Sequence, residues 1–178
     1  MILRTLVPQH LTPNTYNPKE FFMPDMLVKL YTLPDKSELV TRLAGEGITI
    51  RRVQPYEFSK LQEFVLAAFG QEWADEIGVS ISWQPITCFI AVQENKIIGF
   101  AAYECTRRDY FGPTGVNEAY RGRGIGQALL LACLHAMWEM GYVYAIIGGA
   151  GPKDFYSKCV GATLIPDSSP GIYTKVAD

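Results

Sequence analysis

Clustered histidine and cysteine are what this sequence most clearly lacks. It has only two histidines, His10 and His135, and four widely spaced cysteines without a CxxC pair. Zinc sites and Cys–His nucleophile pairs need such residues close together, so we expect no metal and no cysteine nucleophile. We expect free thiols throughout, because three of the cysteines lie in apolar runs where a thiol packs as a small hydrophobic group. The four are Cys88, Cys105, Cys133 and Cys159.

Long apolar segments and an excess of one charge are lacking as well. No stretch approaches the roughly 20 apolar residues of a membrane-spanning helix, and the first residues lack the apolar core of a secretory signal. The formal net charge of -2 offers no basic surplus for binding nucleic acid or an anionic membrane. We therefore expect a cytoplasmic protein with neither nucleic acid nor a membrane among its partners.

What the sequence does contain is the composition of a globular domain. Of its 178 residues, 48% are apolar and 19% are charged, which is typical of chains that bury one hydrophobic core. Alternating and helical apolar patterns predict the order β-α-β-α-β-β-β-α-β-α-β-β, a mixed α/β fold with helices on both faces of the sheet. We divide the chain into an N-terminal arm plus β-α extension, residues 1–47, and a main domain, residues 48–178.

Local sequence patterns predict the individual strands, helices and turns. Pro113 beside Gly112 predicts a bulge or a splayed end in the third antiparallel strand, since proline cannot donate to the ladder. The run YVYAIIGG is short and apolar, which favours a buried parallel strand. The other predicted segments are a strand over Met26–Pro34, a helix starting at Asp35 or Ser37, a strand over Ile48–Val53, a helix from Phe58 up to Gly70, a hairpin turning at Glu94–Lys96, a helix over Gly126–Met140, a short helix in GPKDFYSKCVG and a hairpin-like pair around Ser168–Gly171.

Six residues at the start of the long apolar helix form a loop that is poorly suited to packing but well suited to an anion. They are Arg121, Gly122, Arg123, Gly124, Ile125 and Gly126. A helix N-terminus carries unpaired N–H groups and a partial positive charge. The glycines let the backbone approach a ligand closely, and the two arginines can add charge-assisted hydrogen bonds to phosphate oxygens. A pyrophosphate group fits this combination.

The spacing of the loop argues against two common phosphate sites. A dinucleotide fingerprint needs G-x-G-x-x-G, but counting from Gly122 and Gly124 the last position is Gln127, and the preceding strand belongs to an antiparallel series. A nucleoside triphosphate loop needs G-x-x-x-x-G-K-[ST], and no such run occurs here. Rossmann and P-loop binding are therefore disfavoured.

The run Arg121-x-x-Gly124-x-Gly126 resembles the [QR]-x-x-G-x-[GA] pyrophosphate loop of the GNAT superfamily of acyl-CoA-dependent N-acyltransferases. The surrounding TGVNEAYRGRGIGQALL is similar to the family's strand–turn–helix pattern, and FYSKCVGA to its later lYeKlGF segment. The resemblance extends over residues 48–175 in element order and is specific around residues 112–162. Residues 1–47 are not explained by it.

The resemblance implies a GNAT-like, mostly antiparallel sheet that is splayed near a site for acetyl-CoA as co-substrate, with no metal. Backbone groups of Thr114 and Val116 would pair with the pantetheine arm as if it were another strand, and the amides of residues 121–126 would hold the pyrophosphate. The thioester would lie where this strand parts from AIIGG, and the Val116 N–H would stabilise the developing oxyanion.

The reaction implied by the resemblance is direct attack of an amine on acetyl-CoA. An ammonium must lose a proton and the CoA thiolate must gain one, so a base and an acid are needed on opposite sides of the reacting carbon. Tyr156 matches the family's general acid, and Glu104 is the first candidate base, with Asp109, Glu118 or a water relay as alternatives. The sequence departs from the family at two nearby positions: the asparagine commonly found seven residues before the motif tyrosine is Gly149 here, and a nearby alanine is Pro152, so the asparagine's pantetheine contact is absent or comes from backbone.

Three functions fit these observations. The first is N-acetylation of a small primary amine, the second is N-acetylation of a protein or peptide, and the third is a catalytically silent CoA-binding sensor. Residues 1–47 can cover the acceptor site or form a homodimer contact. Five aromatic residues can line an acceptor pocket or simply fill the core: Trp73, Trp83, Tyr103, Tyr110 and Phe111.

Overall fold

A computed structural model describes residues 23–173 of the chain, so most of the predicted N-terminal arm lies outside the described residues. The strands found there are β1 (Met26–Lys29), β2 (Ile48–Arg52), β3 (Cys88–Gln93), β4 (Lys96–Tyr103), β5 (Tyr110–Val116), β6 (Tyr144–Ile147) and β7 (Thr163–Leu164). The α-helices are α1 (Ser37–Gly45), α2 (Phe58–Phe69), α3 (Gln71–Glu76), α4 (Ile125–Glu139) and α5 (Lys153–Val160).

The strands form one sheet with the order β2-β3-β4-β5-β6-β1-β7. Neighbouring strands are antiparallel except β5 and β6, which run parallel. The parallel pairing covers only Tyr110 opposite Ile146 and Phe111 opposite Ile147. Beyond Phe111 the two strands are no longer paired, and we call the space between them the parting. The predicted mixed, mostly antiparallel sheet with a splay is confirmed by this arrangement.

Helices cover both faces of the sheet, as predicted. Leu43 of α1 and Leu129 of α4 belong to the core on one face, which we call the α4 face. Leu61 of α2 and Ala74 of α3 belong to the core on the other, the α2 face. Helix α4 has buried residues around most of its circumference, which is typical of a helix enclosed between a sheet and other elements.

The β4–β5 pairing is irregular where the sequence predicts a bulge. The register moves from Ala101 opposite Thr114 to Tyr103 opposite Phe111, so β5 holds one residue more than β4 over this interval. The extra length falls at residues 112–113. Because proline has no N–H, this part of β5 cannot complete the ladder, and the predicted bulge is confirmed.

The N-terminal strand lies inside the sheet and not beside it. Met26 is opposite Ile147 of β6 on one side and Leu164 of β7 on the other. The described part of the predicted extension, residues 23–47, therefore includes a strand with neighbours on both sides. Strand β1 is also shorter than predicted, because the chain enters a 3₁₀ helix at Leu30–Thr32.

The predicted C-terminal hairpin-like pair is wrong within the described residues. Strand β7 has only two residues and pairs with β1, and Gly171–Tyr173 is a 3₁₀ helix. The chain after β7 is bonded to the start of β1 and not to itself: the Ile165 N–H donates to the Asp25 C=O (3.0 Å), and the Asp25 N–H donates to Oγ of Ser168 (2.9 Å). Residues 174–178, where the pair would end, lie outside the described residues.

The described residues also show the state of the cysteines, the character of the helices and the grouping of possible metal ligands. All four cysteines are free thiols, as predicted, and three of them are buried. Within residues 23–173, no helix has the length and apolar character that crossing a membrane requires. The same stretch contains no group of three or more His, Cys, Asp or Glu side chains arranged to bind a metal ion.

Candidate functional site

The parting exposes one edge of β5. The Asn117 N–H donates to the Ile98 C=O on the β4 side (2.9 Å). Since successive residues of a strand turn their N–H groups to opposite sides, those of Val116 and Thr114 point to the edge that β6 leaves unpaired. Nε of Arg121 donates to the Val116 C=O (3.3 Å). A ligand with an extended amide arm can therefore pair with β5 as an additional strand would.

The glycine-arginine loop joins this edge to the N-terminus of α4. Gly122 and Gly124 have φ values of +77° and +85°, in the left-handed region that favours glycine. The Ala128 N–H donates to the Gly124 C=O (3.0 Å) as the first bond of the helix, so the preceding N–H groups have no partner in α4. The loop and its neighbours enclose a cavity of about 270 Å³. Its lining residues are Val116, Tyr120, Arg121, Gly122, Gly124, Ile125, Gly126, Gln127 and Phe155.

The two arginines of the loop have different surroundings. Nη2 of Arg123 lies 2.8 Å from Oε2 of Glu46, and the hydrogen bond from Arg123 is the main reason that the pKa of Glu46 is lowered. Nη2 of Arg42 donates to the Arg123 C=O (2.8 Å). Arg123 therefore ties the loop to α1. Arg121 is exposed and makes no ion pair with any residue between 23 and 173.

Tyr156 projects from α5 toward the parting on the α4 face. Its side chain is 5% exposed, and its ring meets that of Phe111 edge to face, with 6.3 Å between centroids. Phe111 is the last residue of β5 that pairs with β6, so the phenol lies beside the point where the strands separate. Burial raises the pKa of Tyr156 to about 12. The hydroxyl is therefore protonated at neutral pH.

The carboxylates singled out from the sequence are not directed at the parting. Glu104 follows β4 with a φ of +61°, and its Oε1 accepts the Asp109 N–H (2.6 Å) within the turn that leads to β5. Its side chain is buried. Burial, and then the charge of Glu104, raises the pKa of Asp109 to about 6. Glu104 and Asp109 thus face each other in this turn, and Glu118 is exposed in a 3₁₀ helix before the loop.

Asp25 is the carboxylate that the structure does bring to the parting, and sequence reasoning missed it. It lies one residue beyond the last row in which β1, β6 and β5 are side by side. Oδ1 accepts the Gly149 N–H (2.8 Å), and Oδ2 accepts the Tyr110 O–H (3.3 Å). The side chain is 6% exposed. No local pattern marks residue 25, because its position depends on partners as far as 143 residues along the chain.

The aromatic candidates mostly fill the core. Tyr103 and Phe111 are buried on the α4 face. Trp73 packs against the core of the α2 face, and Trp83 lies against an arginine guanidinium. Of the five, Tyr110 alone has a polar group bonded at the parting within the described part of the chain.

Comparison in sequence identifies a family for the central part of the chain. Residues 84–159 match the family model described as an acetyltransferase (GNAT) domain. The matched segment contains the unpaired edge of β5, the glycine-arginine loop and Tyr156. No curated protein matches the chain in sequence.

Two solved structures share the fold at low sequence identity. A GCN5-related glucosamine N-acetyltransferase region of a fungal multi-domain GH3 β-N-acetylglucosaminidase is 18% identical, with a TM-score of 0.67, over 81% of this chain and 20% of that chain. A GCN5-related N-acetyltransferase from Sphaerobacter thermophilus is 21% identical, with a TM-score of 0.63, over 83% of this chain and 51% of that chain. The protein thus spans a fifth and about half of the lengths of these two chains. A GNAT family acetyltransferase from Brucella melitensis, solved with acetyl-CoA, is 21% identical with a TM-score of 0.41, over 51% of this chain and 70% of that chain.

Proposed function

We propose that this protein is an N-acetyltransferase that transfers an acetyl group from acetyl-CoA to the primary amine of a small molecule; residues 84–159, which match the acetyltransferase (GNAT) family model, support this proposal. The observation that carries the proposal is the unpaired edge of β5 beside the loop at residues 121–126. The edge offers backbone donors and acceptors to a pantetheine arm, and the loop offers N–H groups to a pyrophosphate. Val116, Arg121 and Gly126 line one cavity of about 270 Å³.

The loop holds the phosphate end of the co-substrate. The N–H groups from Gly122 to Gly126 precede or begin α4 and have no partner within the helix, so they are donors for phosphate oxygens. Arg121 adds a positive charge, since it is exposed next to these donors. Arg123 is bonded to Glu46 and supports the loop from the α1 side, contributing its backbone to the phosphate site.

The edge of β5 holds the pantetheine and the thioester. The outward N–H and C=O groups of Thr114 pair with the amides of the arm as those of a further strand would, and the Val116 C=O, which accepts from Nε of Arg121, has a second lone pair for the arm. The Val116 N–H then donates to the thioester oxygen as negative charge develops on it, and one such fixed donor is worth roughly 3 kcal/mol of barrier. The sequence resemblance assigns these roles, and the unpaired edge supports them.

Tyr156 serves as the general acid. A phenol whose pKa is raised by burial to about 12 keeps its proton at neutral pH, and it can give that proton to the departing thiolate. Its position against Phe111 supports this role, because Phe111 is where the parting begins. The Glu104 carboxylate accepts the Asp109 N–H within the β4–β5 turn, so we do not propose Glu104 as the general base.

We favour a small acceptor over a peptide because the segment after β7 lies close beside Asp25. The chain after β7 reaches Asp25 through Oγ of Ser168. That bond is made by the Asp25 N–H, and Gly171 approaches the Asp25 carboxylate so closely that a Cβ at this position would lie 3.7 Å from Oδ2. A peptide or protein terminus needs an open groove, whereas a small amine needs only a narrow opening.

The test is CoA thiol release by the purified protein with acetyl-CoA and a panel of small amines and peptides, beside a calorimetric titration with CoA. Release that depends on a small amine is the expected result. Release with peptides alone would favour the protein acetyltransferase. Tight CoA binding without release for any acceptor would favour a silent sensor, and absence of CoA binding would contradict our assignment of the loop.

Tyr156→Phe separates a catalytic from a structural phenol. We expect turnover to fall by roughly 100-fold or more, because a positioned general acid contributes that much, while CoA affinity stays unchanged. Tyr144→Phe removes the hydroxyl of an exposed tyrosine in β6 and serves as the matched control. Equal turnover of Tyr156→Phe and Tyr144→Phe would mean that Tyr156 only packs.

A further inference from the structure

The carboxylate of Asp25 lies where the proposed reaction needs a base. We propose that Asp25 is the catalytic residue that binds the acceptor ammonium and takes a proton from it. The inference rests on the proposed function and adds the general base. Glu104 does not fill that role, because its carboxylate is bonded within the β4–β5 turn. It starts from the position of β1 between β6 and β7, which brings residue 25 to the end of the last paired row of β5 and β6.

The alternation of side chains puts Asp25 and Tyr156 on opposite faces of the sheet. Met26 and Phe111 belong to the core of the α4 face, where the Tyr156 ring also packs. Successive residues of a strand face opposite sides, so Asp25 and Tyr110 point to the α2 face, and the hydrogen bond between them agrees with this. A group at the parting therefore meets a phenol from one face and a carboxylate from the other. This is the arrangement that protonation of sulfur and deprotonation of nitrogen require.

The hydrogen bonds of Asp25 hold it in place and leave it room to act. An ionised carboxylate has about four acceptor positions on its two oxygens. Within the described residues, Oδ1 uses one for the Gly149 N–H and Oδ2 uses one for the Tyr110 O–H. The remaining lone pairs are available to an ammonium. The carboxylate charge also attracts that cation into a buried position, where the interaction is stronger than in water.

Few titratable groups face this carboxylate in the described part of the chain. Tyr110 of β5 donates to it, and the pKa of Tyr110 is raised first by burial and next by the charge of Asp25. Arg107 and Asp109 act on Tyr110 with opposite signs from the turn before β5. From the segment after β6 the carboxylate accepts the neutral Gly149 N–H, and the Ser168 side chain bonds only to the main-chain N–H of Asp25.

The glycine at 149 fits this arrangement. Its φ of +52° presents the N–H to Asp25, a conformation that side chains seldom adopt. Gly149 has no side chain of its own, and Asp25 at the start of the neighbouring strand β1 places a carboxylate beside it. Only the insertion of β1 into the sheet makes this possible, because residue 25 is otherwise remote in the chain.

The step balances as a simple acyl transfer. The amine nitrogen forms a bond to the thioester carbonyl carbon, and the carbon–sulfur bond breaks with its electron pair leaving on sulfur. Asp25 accepts one proton from the ammonium before attack and later passes it to water, and a second proton leaves nitrogen to water. Tyr156 donates a proton to sulfur and regains one from water. The net products are an amide, a thiol and one proton released to solvent.

The experiment compares wild type with Asp25→Asn in thiol release and in CoA titration. Asparagine keeps an oxygen for the Gly149 N–H but cannot accept a proton. We expect kcat/KM at neutral pH to fall by roughly 100-fold or more, the usual contribution of a general base, with an unchanged Kd for CoA. The rate of the variant should keep rising with pH up to the amine pKa near ~10, whereas that of the wild type levels off earlier. A merely structural residue would not change the shape of this profile.

Two further variants keep the test decisive. Asp167→Asn makes the same chemical change at an exposed carboxylate of the neighbouring C-terminal segment, and it should behave as wild type. Tyr110→Phe keeps the Gly149 N–H bond and removes one donor that positions the Asp25 carboxylate, so kcat/KM should fall while the Kd for CoA stays unchanged. If Asp25→Asn is unfolded at the assay temperature, Tyr110→Phe serves as the test of Asp25 instead.

The outcomes separate the two proposals. Absence of thiol release in the wild type is a failure of the proposed function. Wild-type release with equal rates and pH profiles in Asp25→Asn, or an unchanged kcat/KM in Tyr110→Phe, overturns the assignment of Asp25 alone. Loss of rate with retained CoA affinity and a displaced pH profile supports it.

Discussion

At the scale of single residues, the turn between β4 and β5 holds two carboxyl groups against each other. Oε2 of Glu104 and Oδ1 of Asp109 are buried without a hydrogen-bond partner among residues 23–173. Burial first, and the charge of Glu104 second, raises the pKa of Asp109 from 3.8 to about 6. The ionised form of Asp109 is therefore less favourable in the folded protein than in the unfolded chain.

This difference predicts a pH dependence of stability. Because the folded-state pKa is the higher one, the folded protein holds more protons between pH 3.8 and 6, and the contribution of Asp109 to the free energy of unfolding falls as pH rises through this window. Asp109→Asn cannot ionise, so it should gain stability relative to wild type on going from pH 4.5 to pH 7. Urea unfolding at both pH values measures this, with the exposed Asp167→Asn as control. A constant difference between Asp109→Asn and wild type would contradict the prediction.

At the scale of elements, helix α2 packs onto β5 at a position that admits no side chain. A Cβ on Gly115 would lie 2.5 Å from Cζ of Phe69, the last residue of α2. The Phe69 ring is stacked on Trp73, with 5.3 Å between centroids, and packs against Phe100 of β4. The ring therefore cannot move away without disturbing the core of the α2 face.

We expect Gly115→Ala to destabilise the protein by about 1–3 kcal/mol, the usual cost of overpacking a core. Gly78→Ala is the matched control, because a Cβ there meets no atom within 4 Å, and its effect should stay within about 0.5 kcal/mol. Denaturant unfolding measures both. In a Phe69→Ala background the cost of Gly115→Ala should shrink, and an unchanged cost would show that the ring is not the cause.

Elements that depend on local signals could be predicted from the sequence, and those that depend on distant pairing could not. Helix α4 and the β3–β4 hairpin agree with the sequence to within a few residues, since apolar periodicity and turn residues fix them locally. The loop at residues 121–126 was recognisable for the same reason. The predicted C-terminal hairpin-like pair was wrong within the described residues because Ile165 and Ser168 bond to Asp25. No local sequence pattern indicates this contact.

At the scale of the whole molecule, the unexpected feature is the insertion of β1 into the sheet. The N-terminal segment carries no motif, and treating residues 1–47 as an extension of a main domain follows naturally from the sequence. In the structure β1 separates β6 from β7, and it is through this insertion that Asp25 reaches the parting. The part of the candidate site that lies in the motif was therefore predictable, whereas the part supplied by β1 needed the tertiary structure.

If β1 belongs to the cooperative core, a cavity in it must weaken the whole molecule. Met26 is 1% exposed between Ile147 and Leu164, and Leu164 in the same row is 52% exposed. Met26→Ala should cost about 2–5 kcal/mol, whereas Leu164→Ala should cost less than about 0.5 kcal/mol. Unfolding followed by circular dichroism and by tryptophan fluorescence should give coincident midpoints, because Trp73, Trp83 and Trp138 all lie outside β1 and report on the rest of the molecule. A fluorescence midpoint that Met26→Ala leaves unchanged would mean that β1 unfolds separately from the rest.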